Sequence, residues 1–323
     1  MSTAPATAPA GNPSRSRRDD IPAPTIPAPA SKSSRSRRDN IHGWAFSAPF
    51  LAFFLMFLVW PMISGAVMSL TGKSLTGANS GFIGLANYTE AFADQDMWRS
   101  LGNTLYFTLI STVPLVVIAL ALAALVNMGL PAQWLWRLSF FSPFLLASTV
   151  VSLFFAWMYN PELGLFNDLL AKVGIPPVAW LNDPSVAMWA VVIATVWWTV
   201  GFNFLLYLAA LQNIPEELYE SASVDGGNKW VQFWNITVPG VRSASVLVTL
   251  LATITGANLF TEPYLLTGGG GPDGASTSPV FLMYQMGILQ GNPDLASALG
   301  VVLVIGVLLI ALIQKRLVGG KED

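Results

Sequence analysis

The 323-residue sequence predicts an all-α polytopic membrane protein of six transmembrane helices with both termini in the cytoplasm. Three observations carry this. Hydrophobic residues make up 53% of the chain and charged residues 11%, with a mean hydropathy of +0.56; an ordinary soluble domain has about 25% charged residues. Apolar segments recur near 45–70, 101–127, 136–158, 186–211, 244–266 and 294–314, each meeting the requirement of about 20 residues to cross a hydrocarbon core. Basic residues concentrate in the segments that this count places inside. These are the N-terminal cluster, Arg137, Lys229, Arg242, Lys315, Arg316 and Lys321, against Lys73, Arg99 and Lys172 outside, the bias of the positive-inside rule.

Taken in order, residues 1–42 are a different material from the rest: Ala, Pro, Ser, Thr and Arg without apolar periodicity, containing SRSRRDDI (14–21) and SRSRRDNI (34–41). This composition predicts a disordered tail. Its basic clusters hold the first span's N-terminus in the cytoplasm and suit anionic lipid heads. A cleaved signal peptide is disfavoured, because the apolar segment that follows exceeds the usual ~7–15 residues. The membrane domain is expected over 43–316, with 317–323 a short cytoplasmic end. A net charge of −2 and the single histidine, His42, disfavour a nucleic-acid surface or a histidine-based metal site. Without cysteine there is no disulfide, thiol nucleophile or Cys-ligated zinc.

Trp44, Trp60, Trp98, Trp134, Trp136, Trp157, Trp180 and Trp189 fall near expected span ends, where an indole suits the interface. Pro61, Pro114 and Pro143 lie in or near spans and predict kinks or packing points. The outer loops, 71–100, 159–185 and 267–293, are rich in Gly, Pro, Asn or Asp. GFIGLANY (81–88) reads as a compact turn with buried aromatics. LLTGGGGPDG (265–274) reads as a flexible loop open to an external partner; it lacks the Lys-Ser/Thr ending of a Walker A loop.

Polar groups within the spans are functional candidates, because an ionisable group at mid-membrane costs about 2.5–3.5 kcal/mol. Glu262 is the clearest, either within the fifth span or near its outer interface. Asn203, Thr255 and Asn258 either hydrogen-bond a polar solute or join helices. Trp197 and Trp198 lie at mid-span, where an aromatic wall for a sugar ring and a bulky packing element are both open.

One polar island, NIPEELYESASVDGGNKWVQFWNITVP (213–239), interrupts the C-terminal half. Pro215 fits a first helical position, followed by Glu216 and Glu217 where the helix dipole favours carboxylates. Leu218, Tyr219 and Ala222 give a small apolar face, and Asp225-Gly226-Gly227 breaks the helix. A second helix carrying Trp230, Phe233, Trp234 and Ile236 is expected to run until Pro239 stops or kinks it. The topology puts this island in the cytoplasm.

No G-x-S-x-G, H-E-x-x-H or Walker motif occurs, so no catalytic constellation is expected. Nor do the spans carry the several buried carboxylates or histidines of a proton-coupled transporter. Energy is then expected from another subunit, docked on the island. ESASVDG (220–226), nine residues, and ITVP (236–239) resemble the EAA loop of permeases in binding-protein-dependent ABC importers, whose pattern is E-A-A, three residues, G, nine residues, I-x-L-P. Ser221 replaces the first alanine and Val238 the leucine. GFIGLANY, WRSLGNT (98–104), LTGGGGP (266–272) and SALGVVLVI (297–305) are similar to the carbohydrate branch, with its maltose- and glycerol-phosphate-type permeases.

The resemblance implies a type I importer permease in the cytoplasmic membrane of a prokaryote. It pairs with a second homologous permease as a heterodimer, two ATP-binding subunits and an extracytoplasmic solute-binding protein. It implies no cofactor on this chain, ATP-Mg being held by the partner ATPase. By the same resemblance Glu220, Ala222, Asp225, Gly226, Ile236 and Pro239 form the ATPase-coupling surface. Counting from the matched proline and the glycine loop puts Trp197, Trp198 and Thr255 at solute-pathway positions, with Asn258 beside Thr255. An ion-gradient-driven transporter or channel is the alternative.

Overall fold

The computed structural model describes residues 47–73 and 79–319. The tail over 1–42 and residues 320–323 lie outside them. Two compact units divide the chain between Leu58 and Val59. The described part of the first, 47–58, is helix with nearly every side chain exposed. Phe50 stacks on Phe54 and Phe53 on Phe57, ring centres 6.0 Å apart, at four-residue spacing. It opens α1, Ser47–Met68, an apolar helix without a buried face.

Strands β1 (Thr71–Lys73) and β2 (Asn79–Phe82) pair antiparallel, which corrects the all-helical expectation at one hairpin. The turn after them is also not as expected: Phe82 is exposed, and the buried group is Asn87. Asn87 Nδ2 donates to the Ser69 and Thr71 carbonyls at 2.9 and 3.0 Å, while Tyr88 and Ser69 share a hydroxyl bond of 2.7 Å. The helices that follow are α2 (Ala86–Ala93), α3 (Gln95–Asn127), α4 (Gln133–Phe141), α5 (Ser148–Met158), α6 (Leu165–Lys172) and α7 (Pro184–Gln212). Then come α8 (Glu216–Val224), α9 (Lys229–Gly240), α10 (Arg242–Ala257), α11 (Pro279–Leu289) and α12 (Pro293–Gly319).

Helices α1, α3, α7 and α12 are each long and apolar enough to cross a membrane; counting α4–α5 and α9–α10 as single broken spans raises the number to six. The α4–α5 pair bends by 93° and α9–α10 by 62°. At the first bend Pro143 sits in a 3₁₀ turn, Ser142–Leu145, after which Leu146 and Ala147 are extended. The Leu146 carbonyl released there accepts a hydrogen bond from Trp198 Nε1 at 3.1 Å. At the second, a π turn over Phe233–Thr237 leads into a single helical turn, Val238–Gly240, that holds Pro239, and the chain bends at Val241, whose N–H still donates to the Thr237 carbonyl at 3.0 Å.

Two helix ends depart from expectation. Asp94 caps α3 by accepting from the Asp96 N–H at 2.8 Å, so α3 begins at Gln95 rather than near 101. Helix α10 stops at Ala257 rather than near 266, because Asn258 caps it and donates Nδ2 to the Ile254 carbonyl at 2.8 Å. Glu262 therefore lies beyond the helix, buried in the π turn Glu262–Leu266, which packs against α5.

The centre of the molecule is the α3–α7 pair, with α10 laid against α3. Phe107, Ser111, Leu115, Ala119 and Ala123 recur every four residues as one buried stripe of α3. Against it α7 presents Ala187, Ala190, Val191, Ala194 and Phe204, small residues predominating, as expected where helices associate in lipid by close packing. The opposite side of α3 exposes Leu105, Leu109, Val113 and Val117. Asp183 caps α7, and its hydrogen bonds from the Ser185 hydroxyl and N–H hold its carboxyl below the usual range. Trp180 joins Tyr159 and Phe166 in a ring cluster and donates Nε1 to Asn167 Oδ1 at 3.0 Å.

A Cβ on Gly201 of α7 would overlap the Phe140 carbonyl oxygen of α4. Replacement Gly201→Ala should destabilise the fold by about 1–3 kcal/mol through overpacking, read as a lower melting temperature of the purified protein in detergent. Gly65→Ala, where a Cβ meets nothing within 4 Å, should leave it unchanged or raise it.

Candidate functional site

Two places concentrate polar chemistry: the loop between α7 and α10, and a small cavity between α3, α7 and α10. In the loop, Pro215 stands at the N-cap of α8, one residue before the first helical position expected for it, with ψ of 131°. Glu216 and Glu217 fill the first turn. Asp225 is the C-cap, and Gly226 follows at φ +83°. The Gly226 N–H donates to the Ser223 carbonyl at 3.1 Å and the Gly227 N–H to that of Ala222 at 2.7 Å, the paired bonds of a Schellman ending. Asn228 then caps α9, accepting from the Val231 N–H at 2.9 Å.

The two loop helices are joined by Gln232, which the sequence reading did not single out. It is 3% exposed. Its Nε2 reaches Ser223 Oγ at 2.7 Å and the Gly227 and Tyr219 carbonyls at 3.2 and 3.3 Å. The Tyr219 and Thr237 hydroxyls bond at 3.0 Å, a second tie. Of the expected coupling residues, Glu220, Asp225, Gly226 and Pro239 are exposed, whereas Ala222 and Ile236 are half-buried. Around them Leu218, Val224, Trp230, Val231 and Trp234 also expose large apolar groups. Trp230 packs edge-on to Trp234 at 5.7 Å. An exposed apolar surface ringed by carboxylates is the composition of a protein-docking patch.

The cavity, about 130 Å³, is lined by Phe107, Ser111, Thr195, Thr199, Asn203 and Thr255, among others. Thr195, Thr199 and Asn203 are four apart, so one face of α7 carries them all. Asn203 Nδ2 donates to the Thr199 carbonyl at 3.0 Å, while its buried Oδ1 has no partner. Phe144 and Phe202, stacked at 5.0 Å, complete the wall.

The structure thus brings Asn203 and Thr255 together and reaches Trp198 only through Phe144, against which it packs at 6.0 Å. Trp197 instead packs on Phe155 at 5.4 Å, and Asn258 and Glu262 belong to the end of α10 and the turn beyond it. Ser111, Thr195 and Thr199 were not singled out, although the hydroxyl spacing on an otherwise apolar helix is visible in the sequence. No group of three or more potential metal ligands occurs among the described residues.

Outside the cavity, the glycine loop is not free. Arg99 Nη1 donates to the Asp273 carbonyl at 2.7 Å, and Asn103 Nδ2 to those of Gly274 and Thr277 at 2.9 and 3.0 Å. Thr267 and Ser276, both buried, share a hydroxyl bond of 2.7 Å. WRSLGNT and the segment that follows the glycine run, 273–277, are therefore two halves of one contact.

Residues 91–320 match the family of binding-protein-dependent transport system inner membrane components. The chain belongs to that family. Among its relatives, the probable ABC transporter permease protein YurN of Bacillus subtilis (strain 168) is 38% identical over 284 residues, covering 86% of this chain and 96% of the relative. The sulfoquinovosyl glycerol transport system permease protein SmoG of Agrobacterium fabrum is 34% identical, covering 85% and 89%. The trehalose/maltose transport system permease protein MalF of Thermococcus litoralis is 32% identical, covering 87% and 95%. A crystal structure of a bacterial ABC transporter that imports alginate superposes with a TM-score of 0.76 at 22% identity, over 89% of this chain and 99% of that one; it shares the permease fold.

The family consists of transport-system components of the inner membrane, and these relatives are permease proteins. Replacing Gly226 by valine should cost about 1–2 kcal/mol from the left-handed backbone alone, since a Cβ there meets nothing within 4 Å. Gly226→Asn should cost clearly less. Hydrogen exchange of the Gly227 amide, whose bond closes the helix end, measures the difference.

Proposed function

We propose that this chain is the permease subunit of an ATP-driven importer that moves a sugar, oligosaccharide or polyol across a prokaryotic cytoplasmic membrane by alternating access. In this reading the two bent pairs each count as one span, giving six, with both termini inside. The α8–α9 loop faces the cytoplasm and docks an ATP-binding subunit, Glu220 opposing a basic residue there. A second homologous permease, two ATPases and an extracytoplasmic binding protein complete the machine. ATP-Mg is held by the ATPases.

The observation that carries the reading is the loop: a hydrogen-bonded helix pair with an outward apolar and acidic surface, joined directly to two of the three helices that line the cavity. Closure of the ATPases then moves the ends of α7 and α10 as bodies. The cargo class is supported by the relatives' names, which specify sulfoquinovosyl glycerol in one case and trehalose and maltose in another. It is supported also by the cavity, whose hydroxyls, amide and aromatic rings suit a neutral polyhydroxylated ring. No basic residue lines it, which disfavours a phosphorylated solute.

Glu220→Lys should weaken co-purification of the ATPase about tenfold or more, the scale of a ~1.4 kcal/mol loss, with the fold unchanged by circular dichroism. Asn203→Leu with Thr255→Val should raise the KM for uptake several-fold, on the scale of one or two lost hydrogen bonds of ~0.5–1.5 kcal/mol each, while leaving ATPase association intact. Uptake that persists in vesicles depleted of ATP but holding a proton gradient would establish the gradient-driven alternative instead.

A further inference from the structure

A second cavity, about 480 Å³, lies beneath α8 and α9 against the C-terminal ends of α3 and α7. Its volume falls within the ~300–1,000 Å³ of small-molecule sites. Its wall includes the amides of Asn127 and Gln212, the charges of Glu216 and Lys229, the Tyr219 ring and Gln232. The orientation of Gln232 is settled by its neighbours. Two of the three atoms facing Nε2 are carbonyl oxygens, which only accept, so the amine end belongs there and Oε1 is turned the other way. That oxygen is buried and has no hydrogen-bond partner, in a side chain that is 3% exposed. It is sealed from solvent and hence from the cavity itself, so the accessible groups of the wall decide what occupies that cavity.

The accessible wall defines what would fit the cavity. Amides offer both donors and acceptors. Glu216 opposes an anion and Lys229 opposes a cation, and no ion pair joins the two among the described residues. The Tyr219 and Phe233 rings add flat apolar surface. A neutral molecule carrying several hydroxyls meets all of these conditions.

We propose that this cavity is a binding site, separate from the one between α3, α7 and α10, for a neutral hydroxyl-rich solute of mono- or disaccharide size. Its occupant bridges the ends of α3 and α7 to α9. Its regulatory consequence rests on the coupling reading given above: a solute accumulating on the loop side stiffens the loop and slows its own import.

The test is ligand-observed saturation-transfer NMR on the purified, assembled transporter in detergent, with maltose, myo-inositol and glucose 6-phosphate as probes. Saturable binding of maltose or myo-inositol is expected, with glucose 6-phosphate weaker. Ala124→Leu, which fills the cavity from α3, should weaken that binding about tenfold, equivalent to ~1.4 kcal/mol. Asn127→Ala, which removes one amide without adding bulk, should weaken it too, and serves if the leucine variant fails to fold. Gly65→Ala, away from both cavities, should leave it unchanged. The proposal is overturned if neither maltose nor myo-inositol binds saturably, if Ala124→Leu and Asn127→Ala both bind normally, or if Gly65→Ala or Thr255→Val abolishes the signal. Loss of ATPase docking in Glu220→Lys is measured separately, so failure of the coupling reading remains distinguishable from failure of the site.

Discussion

A backbone carbonyl without a donor costs several kcal/mol in hydrocarbon, and the architecture follows from how each break in a helix is repaired. Where α4 gives way to α5, the indole of Trp198 supplies the hydrogen bond that the Leu146 carbonyl has lost. Past the end of α10, the Ser278 hydroxyl caps the Leu259 carbonyl. Tyr159 reaches across from the end of α5 to the Ala190 carbonyl inside α7, 2.9 Å away. These donors lie on different elements from the carbonyls they serve. The repaired break at Leu146 is therefore also a cross-link, and the α4–α5 pair is held to α7 at its bend.

This explains what the sequence could and could not disclose. The long apolar helices were legible, since length and composition alone decide them, and so was the α8 turn, because Gly226 and Gly227 have few alternatives to a helix end. The hairpin at β1–β2 was not, since strands of three and four residues leave no usable periodicity. The early stop of α10 depends on one capping side chain, Asn258, in a run that otherwise remains apolar to Leu266 except at Thr261 and Glu262. The glycine loop was read as loose because glycine loses more freedom than other residues on ordering. What holds it are Arg99 and Asn103, more than 170 positions earlier, and no local reading joins them.

The candidate site divides in the same way. Asn203 and Thr255 were legible as polar residues on apolar helices, but that they face one cavity is a property of how α7 meets α10. Trp197 and Trp198 are neighbours in sequence and diverge in space. One packs on Phe155 and the other on Phe144, so only the second stands beside the cavity wall. The loop residues were found through spacing, whereas Gln232 carried no signal beyond being one amide among aromatics.

Gln232 also gives the loop a particular mechanical character. Its amine group has two hydrogens and faces three acceptors at 2.7, 3.2 and 3.3 Å. One acceptor is always in reserve. When α8 rolls a little over α9, a hydrogen can pass from one oxygen to another without any change in the number of bonds made. The joint therefore carries one more acceptor than it has hydrogens, which makes it redundant: losing any single oxygen leaves both hydrogens with a partner. A shift of α8 that costs one of these contacts still leaves the two loop helices tied through the other two.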